Sequence, residues 1–275
     1  MALRFTKVLR LGGGPMIALL AATGSLAAAA PASNQVDLEL VVTVDVSLPM
    51  DRDEQVVARD GYVDALRSPE FIDAVTHGGL GRIAITYVEF SDVQSVVVPW
   101  SVIDGSASAN SFADRLSQAP LQQLRTTSIS GDLIFSAKLF DTSGVNSARR
   151  TIDVSGNGPN NDGVPVTMAR AAVAAEGITI NGLPIDLGPR EAVISDLSDY
   201  YKECVIGGPE AFLLAVHDDS EMTAAIRRKL VEEISMDQSG GQRVAIRIAD
   251  SVVDCIIGEK LGPYVRRFRQ PGAYP

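Results

Sequence analysis

The stretch Leu38–Ser47, which reads LELVVTVDVS, decides the fold class of this chain. Its apolar and β-branched residues predict a buried strand over Leu38–Val46. Asp45 and Ser47 stand two residues apart at its end, so their side chains point the same way on an extended chain. Carboxylate and hydroxyl oxygens are ligands that hard divalent cations prefer. The stretch therefore predicts the first strand of an open α/β sheet, with a metal-ligand pair at the edge where such sheets bind ligands.

Strand and helix patterns alternate along the rest of the chain. Further strands are predicted at Arg82–Phe90, Gln94–Trp100, Arg150–Ser155, Ile178–Ile185, Ala211–Val216 and Arg243–Ile248. Helices are predicted at Asp51–Arg67, Glu70–Val75, Ser108–Gln118, after Thr127, from Val166, at Ser198–Val205, after Asp218 and at Ser251–Arg267. A short link, Ser91–Val93, joins the second and third strands as a hairpin. This order predicts an α/β fold with a doubly wound, mostly parallel sheet and one antiparallel edge strand.

The first 32 residues have the features of a secretory signal peptide. Three basic residues precede a short apolar run, Met16–Ala22, and Ala30-Pro31-Ala32 offers small residues at a cleavage site. The apolar run is too short for an ordinary membrane-spanning helix. We therefore expect a periplasmic or secreted protein that has no membrane span after signal cleavage.

The expected mature chain is strongly acidic. Removing three of the 24 Lys and Arg residues leaves 21 against 34 Asp and Glu, a formal net charge of about −13. Such a surface repels nucleic acid and anionic lipid headgroups, so neither is an expected partner. A cation fits the charge better, although many secreted proteins are acidic for solubility alone.

The chain has two cysteines, Cys204 and Cys255. In an oxidising compartment they are expected to form one disulfide, which would stabilise the fold by about 4 kcal/mol in the chain-entropy model. Two buried free thiols are the alternative. His77 and His217 are the only histidines and lie far apart in sequence, which excludes a Cys/His metal cluster.

Three loops are expected to meet at the carboxyl edge of the sheet. The first holds Asp45 and Ser47. The second, Arg125–Gly131, is rich in hydroxyls and precedes a helix. The third, Ser155–Asn161, directly follows the strand that contains Asp153. Ligands of doubly wound sheets bind at this edge, so these loops hold the candidate site.

With these loops in place, the chain resembles the von Willebrand factor A domains. The match is closest to a bacterial secreted branch of that superfamily whose function is unknown. The strings that carry it are VDVS (Val44–Ser47), TSISG (Thr127–Gly131), IDVSG (Ile152–Gly156), GITINGLPI (Gly177–Ile185) and CVIGGP (Cys204–Pro209). The resemblance covers Val36–Ile234 and implies one von Willebrand A-like, Rossmann-like domain over residues 33–236. A C-terminal extension over residues 237–275 would follow it.

The resemblance also implies a metal-ion-dependent adhesion site (MIDAS). Its motif is D-x-S-x-S after the first strand, a Thr in the second loop and an Asp in the third. Asp45, Ser47 and Thr127 match this motif. Pro49 stands where the second serine would be, and it has no side-chain oxygen. This departure makes the implied site degenerate.

The third-loop position departs as well. Asn157 stands where the motif has an aspartate, which keeps a carbonyl oxygen but loses the negative charge. Asp153 would compensate only if it reached past the end of its strand. The candidate ligands are therefore Asp45, Ser47, Thr127, Asn157 and Asp153. Mg²⁺ is the expected ion, with Mn²⁺ or Ca²⁺ as alternatives. A decayed site, with Asp45 bonded to loop amides, also stays open.

Three functions fit these observations. The first is a secreted, non-enzymatic module that binds a protein partner, an acidic side chain of which would complete the metal coordination. The second is a structural envelope component with an inert metal edge. The third is a metal-assisted hydrolase that uses Asp45 and Asp153. It lacks an evident general base, so we expect the protein not to be an enzyme.

Overall fold

The computed structural model describes residues 34–47, 52–122, 125–186, 194, 196–235 and 253–261. The strands are β1 (Glu39–Asp45), β2 (Ile83–Phe90), β3 (Gln94–Ile103), β4 (Arg150–Gly156) and β5 (Thr179–Pro184). The helices are α1 (Arg52–Arg67), α2 (Pro69–Thr76), α3 (Ser106–Gln118), α4 (Ile129–Leu139), α5 (Val166–Ala175), α6 (Leu197–Tyr200) and α7 (Asp219–Ser235). A 3₁₀ turn, Phe140–Thr142, follows α4, and a π-helical turn, Tyr201–Val205, follows α6.

The five strands form one sheet in the order β3-β2-β1-β4-β5. β1 is parallel to β2 and β4, β5 is parallel to β4, and β3 is the antiparallel edge strand beside β2. Every residue of β1 is buried, which explains its apolar residues Leu40–Val42 and Val44, because a central parallel strand is covered on both faces. The predicted fold class is confirmed.

Helices cover both faces of the sheet, and side-chain alternation divides β1 between two cores. Val42 and Val44 pack with apolar residues of α1, α2, α3 and α7. Val41 faces the other way and packs with residues of α4 and α5. Asp45 comes four residues after Val41 in the same strand, and side chains alternate along a strand. The Asp45 side chain therefore lies on the same side of the sheet as Val41, the side covered by α4. None of the described helices is both long and apolar enough to span a membrane.

One predicted strand is wrong. Ala211–Val216 is not a regular strand: Leu213 forms an isolated parallel bridge to Gly182 of β5, and Val216 forms one to Ile185, just after β5. Between the two bridges lies Pro184, which has no backbone N–H to donate to this segment, although the N–H groups of Leu214 and Val216 donate to the carbonyls of Gly182 and Pro184. The missing donor interrupts the ladder.

Other predicted elements differ in extent or lie outside the described residues. The helix predicted at Ser198–Val205 is the short α6 followed by the π-helical turn. Of the helix predicted at Ser251–Arg267, the structure describes a helical segment at residues 257–261. The strand predicted at Arg243–Ile248, the predicted signal peptide and Pro49 lie outside the described residues.

Candidate functional site

The first loop buries Asp45 at the end of β1. The side chains of Asp45 and Ser47 have no exposed surface. Asp45 Oδ1 accepts a hydrogen bond from the backbone N–H of Ser47, 2.8 Å away. This local bond joins the two residues of the motif's first segment at the end of the strand, where the N–H of Val46 still donates to the carbonyl of Phe90 in β2.

The second loop places Thr127 against the first. Thr127 Oγ1 and Ser47 Oγ lie 2.7 Å apart and share a hydrogen bond, although 80 residues separate them in sequence. Thr127 is also fully buried. The carboxylate and both hydroxyls of the predicted set are therefore in one cluster at the carboxyl edge.

The third loop is fastened to the second by two asparagines. Asn161 Oδ1 accepts from the backbone N–H of Thr127, and the N–H of Asn161 donates to the carbonyl of Thr127, both at 2.9 Å. Asn160 Oδ1 accepts from the N–H of Ser130, also at 2.9 Å. These bonds fix the position of Thr127 more firmly than the motif residues alone would.

Asn157 begins this third loop. Its neighbour Gly156 lies so close to Asp45 that a Cβ atom on Gly156 would be 3.0 Å from the Asp45 Cβ. Asn157 is 8% exposed, and among the described residues its Oδ1 has no hydrogen-bond partner. The structure thus places a buried, unpaired carbonyl oxygen on the loop that packs against Asp45.

Asp153 is not part of this cluster. It pairs with Val42 in the β-ladder, so it faces the opposite side of the sheet from Asp45. There its Oδ1 lies 2.5 Å from Lys229 Nζ in a buried ion pair. The condition set for Asp153 as a ligand, that it reach past the strand end, is not met.

A second carboxylate, that of Asp132, is buried below Asp45 in the first turn of α4. Asp132 Oδ1 accepts from Thr43 Oγ1 at 2.7 Å and from Ser136 Oγ at 3.3 Å. Burial, with a smaller contribution from the charge of Asp45, raises the pKa of Asp132 to about 7 despite these hydrogen bonds. Burial likewise raises the pKa of Asp45 to about 6 against the lowering effect of its bonds to Ser47 and Thr127.

These shifts predict a stability that falls as pH rises. The folded state holds the Asp45 proton to a higher pH than the unfolded state does, so stability declines between pH 3.8 and about 6. The raised pKa of Asp45 lowers the free energy of unfolding by about 3 kcal/mol at pH 8 and by about half of that at pH 5. Without metal, Asp45→Asn should exceed the wild type in unfolding free energy by these amounts in denaturant titrations. An excess that is the same at both pH values would contradict this assignment.

The donor set fits a divalent cation that is weakly held. Asp45 Oδ2 and Asn157 Oδ1 are buried oxygens without a hydrogen-bond partner among the described residues, and the hydroxyls of Ser47 and Thr127 lie beside Asp45. Unpaired buried acceptors are unfavourable unless something else satisfies them. No three His, Cys, Asp or Glu side chains in the described part of the chain form a metal-binding group. A cation here would have Asp45 as its one carboxylate, with hydroxyl and amide oxygens.

The predicted disulfide is present and ties the C-terminal segment 253–261 to the site. Cys204 and Cys255 are bonded, with their Cα atoms 5.5 Å apart. Glu259 Oε1 accepts from Asn160 Nδ2 at 2.8 Å. At Gly258 a Cβ atom would be 2.0 Å from the carbonyl oxygen of Asn160, so this contact requires glycine. The segment therefore lies directly on the third loop.

Several residues that shape the site were not identified from the sequence. Asn160 and Asn161 belong to the quoted third loop, but their bonds to the second loop depend on tertiary structure. Tyr201 reaches the site from the π-helical turn. Asp132 lies in the first turn of α4, and its full burial below Asp45 was not expected.

A family model described as "Protein of unknown function (DUF1194)" matches residues 35–238. The chain belongs to this family. A comparison with curated proteins gives no match. The family assignment therefore comes without an activity.

Solved structures show the von Willebrand factor A fold of this family member. Proximal thread matrix protein 1 from the mussel byssus aligns with TM-score 0.52 and 16% identity over 73% of this chain and 49% of that chain. The von Willebrand factor type A protein of Catenulispora acidiphila aligns with TM-score 0.51 and 15% identity over 73% and 43%. This chain spans less than half of the length of either. The vWF domain of the type V pili tip protein Mfa5 from Porphyromonas gingivalis aligns with TM-score 0.51 and 10% identity over 77% of this chain and 99% of that domain.

Proposed function

We propose that this protein is a secreted, non-enzymatic module that binds a protein partner at the carboxyl edge of its sheet. The binding edge is a degenerate MIDAS formed by Asp45, Ser47, Thr127 and Asn157. A divalent cation, Mg²⁺ in the first instance, would bind there. An acidic side chain of the partner would complete its coordination.

The observation that carries the proposal is the contact between Ser47 Oγ and Thr127 Oγ1 beside the buried Asp45 carboxylate. Loops 80 residues apart in sequence bring these oxygens together. Asp45 Oδ2 and Asn157 Oδ1, on the same edge, have no protein partner among the described residues. Hard cations are bound by oxygen atoms of these kinds.

Two of the structural neighbours support the proposal by their names. One structure of the mussel byssus protein, with TM-score 0.52 and 16% identity, is described as having a zinc-occupied MIDAS motif. Mfa5 is described as a pili tip protein. Both share this fold, and a secreted location would agree with the disulfide, because such bonds persist in oxidising compartments.

The charge of the site favours an acidic partner group. A dication beside the single carboxylate of Asp45 keeps a net charge of about +1. This positive centre would lie on a chain whose formal net charge is −10. A carboxylate from a partner is the ligand that would neutralise it.

Asn157→Asp should tighten metal binding, because it restores the carboxylate that the motif has in the third loop. We expect about a tenfold lower Kd for Mg²⁺ or Mn²⁺ in calorimetric titration of the purified mature protein. The same variant should be less stable than the wild type without metal, since it adds a buried charge near Asp45. Metal should reverse that loss.

Asn110→Asp is the matched control, because it adds the same charge on the exposed face of α3. It should leave the Kd unchanged. An Asn157→Asp variant with wild-type affinity would contradict the placement of Asn157 at the ion. Absence of heat at millimolar metal in the wild type would remove the metal from the proposal.

A structural envelope component with an inert edge is the second candidate. It is favoured by the bond between Asp45 Oδ1 and the Ser47 N–H, which is the arrangement expected of a decayed site. Pull-down from envelope extract with and without chelator separates the two. A specific partner lost on chelation and on Asp45→Asn supports metal-dependent binding, whereas a partner retained in both supports the structural role.

The absence of catalysis is also part of the proposal. The two carboxylates required by a metal-assisted hydrolase, Asp45 and Asp153, lie on opposite faces of the sheet. His77 lies on the surface at the end of α2, where Nδ1 is 2.9 Å from the carbonyl of Asp73. Asp132, which is buried below Asp45, has no exposed surface, and its Oδ1 accepts hydrogen bonds from Thr43 and Ser136, so it is not placed to reach a substrate as a general base.

A further inference from the structure

The π-helical turn Tyr201–Val205 directs one tyrosine toward the candidate site. Tyr201 is fully buried. Its ring lies along Gly182, where a Cβ atom would be 2.9 Å from the ring, and its hydroxyl lies beside Gly156, where a Cβ atom would be 2.8 Å away. Two glycines on neighbouring strands, β5 and β4, therefore leave room for the phenol. Any side chain at either position would displace it.

The hydroxyl ends in polar surroundings without a bond. Among the described residues, Tyr201 Oη has no hydrogen-bond partner, and neither has Asp45 Oδ2. The Cβ position on Gly156 that is 2.8 Å from Tyr201 Oη is also 3.3 Å from Asp45 Oδ2. Both oxygens thus lie beside the Cα of Gly156, yet no hydrogen bond joins them. Leaving two buried polar atoms unpaired side by side is unfavourable unless a third group lies between them.

We propose that Tyr201 is an additional residue of the metal edge, the cluster of Asp45, Ser47, Thr127 and Asn157. Its hydroxyl holds a water molecule that is bound to the cation beside Asp45. The inference rests on the proposed function, because it requires the cation. Pro49 removes a side-chain oxygen from the first loop. The phenol supplies one from a part of the chain that the motif does not include.

The phenol is suited to donate its hydrogen at this position. An ordinary phenol is protonated at neutral pH, so Tyr201 carries a hydrogen that it can donate beside the carboxylate. A water between the two oxygens would accept from the phenol and donate to Asp45, which satisfies both buried atoms.

Tyr201→Phe tests the inference, because it removes the hydroxyl and keeps the ring that packs along Gly182. The matched control is Tyr62→Phe. Tyr62 is equally buried, and its hydroxyl bonds to Ser155 Oγ at 2.6 Å on the opposite face of β4. Calorimetric titration with Mn²⁺ should show about five- to tenfold weaker binding in Tyr201→Phe and no change in Tyr62→Phe.

Two further measurements separate a role at the ion from a packing role. Without metal, Tyr201→Phe should be at least as stable as the wild type, since it removes an unpaired buried hydroxyl, whereas Tyr62→Phe should be less stable. Tb³⁺ bound in place of Mn²⁺ should show tyrosine-sensitised luminescence that falls strongly in Tyr201→Phe and persists in Tyr62→Phe.

The outcomes distinguish the two proposals. A wild type that binds Mn²⁺ while Tyr201→Phe binds with equal affinity would overturn the role of Tyr201 and leave the metal edge in place. A wild type that does not bind Mn²⁺ would overturn both. A loss of stability in Tyr201→Phe without metal, matching that of Tyr62→Phe, would show that the hydroxyl has an ordinary structural role.

Discussion

Lys229→Met is expected to lower the free energy of unfolding by about 3–5 kcal/mol. Lys229 is 1% exposed, and its Nζ lies 2.5 Å from Asp153 Oδ1 and 2.6 Å from Glu233 Oε1. Asn181 Nδ2 donates to the other Glu233 oxygen at 2.7 Å. Removing the ammonium group of Lys229 leaves the carboxylates of Asp153 and Glu233 buried next to each other without a countercharge. Breaking a buried ion pair by removing one partner is strongly destabilising.

The directions of the pKa shifts agree with this account. Burial alone would lower the pKa of Lys229, but the attraction of Asp153 and Glu233 raises it above its ordinary value. Burial raises the pKa of Glu233, and the nearby Asp153 raises it further against the opposing effect of Lys229. The ammonium group therefore offsets part of the cost of burying these two carboxylates inside the sheet–α7 interface.

Denaturant titration checks the prediction, with Arg228→Met as the control. Arg228 is the next residue of α7, and its ion pair with Glu232 is largely exposed, so its loss should change stability by under about 1 kcal/mol. The triple variant Lys229→Met, Asp153→Asn, Glu233→Gln should recover most of the stability, because no unpaired charge is left. A Lys229→Met variant as stable as Arg228→Met would refute the assignment.

The sheet could be predicted because its signal is local. β1 is rich in apolar residues because both of its faces are buried, and β2 and β3 are joined by a short link that fits a hairpin. The strand predicted at Ala211–Val216 is broken because Pro184, on the segment that pairs with it, has no backbone N–H to continue the ladder. Pairing between distant segments leaves no local pattern.

The site was predictable only in part, for a related reason. Asp45, Ser47 and Thr127 follow from the motif and from the rule that loops meet at the carboxyl edge. The face of the sheet on which Asp153 lies depends on the register of β4 against β1. The sequence of β4 alone does not indicate that register. Lys229 and Glu233 form an i,i+4 pair of the kind found on exposed helix faces, and here the pair is buried.

Removing the disulfide with Cys204→Ala/Cys255→Ala is expected to lower the free energy of unfolding by about 4 kcal/mol. The bond joins residues 51 apart, so its loss enlarges the unfolded ensemble substantially. Chemical denaturation of the double variant and of the reduced, alkylated wild type gives the value. Cys255→Ser keeps the buried Cys204 and should lose nearly as much, which separates the cross-link from the packing of the sulfur.

The same variants should loosen the third loop, because the disulfide is what anchors the C-terminal segment that lies on it. Without the bond, the contact of Glu259 Oε1 with Asn160 Nδ2 is held by one hydrogen bond and local packing. Exchange of the Asn161 amide, which donates to Thr127, should become faster, and metal affinity should fall. Glu259→Ala is the control that removes the hydrogen bond but keeps the disulfide, and it should have a smaller effect on both. If the double variant keeps the stability and the Asn161 exchange rate of the wild type, the C-terminal segment 253–261 does not hold the third loop in place. The segment then packs on the loop without stabilising the metal edge.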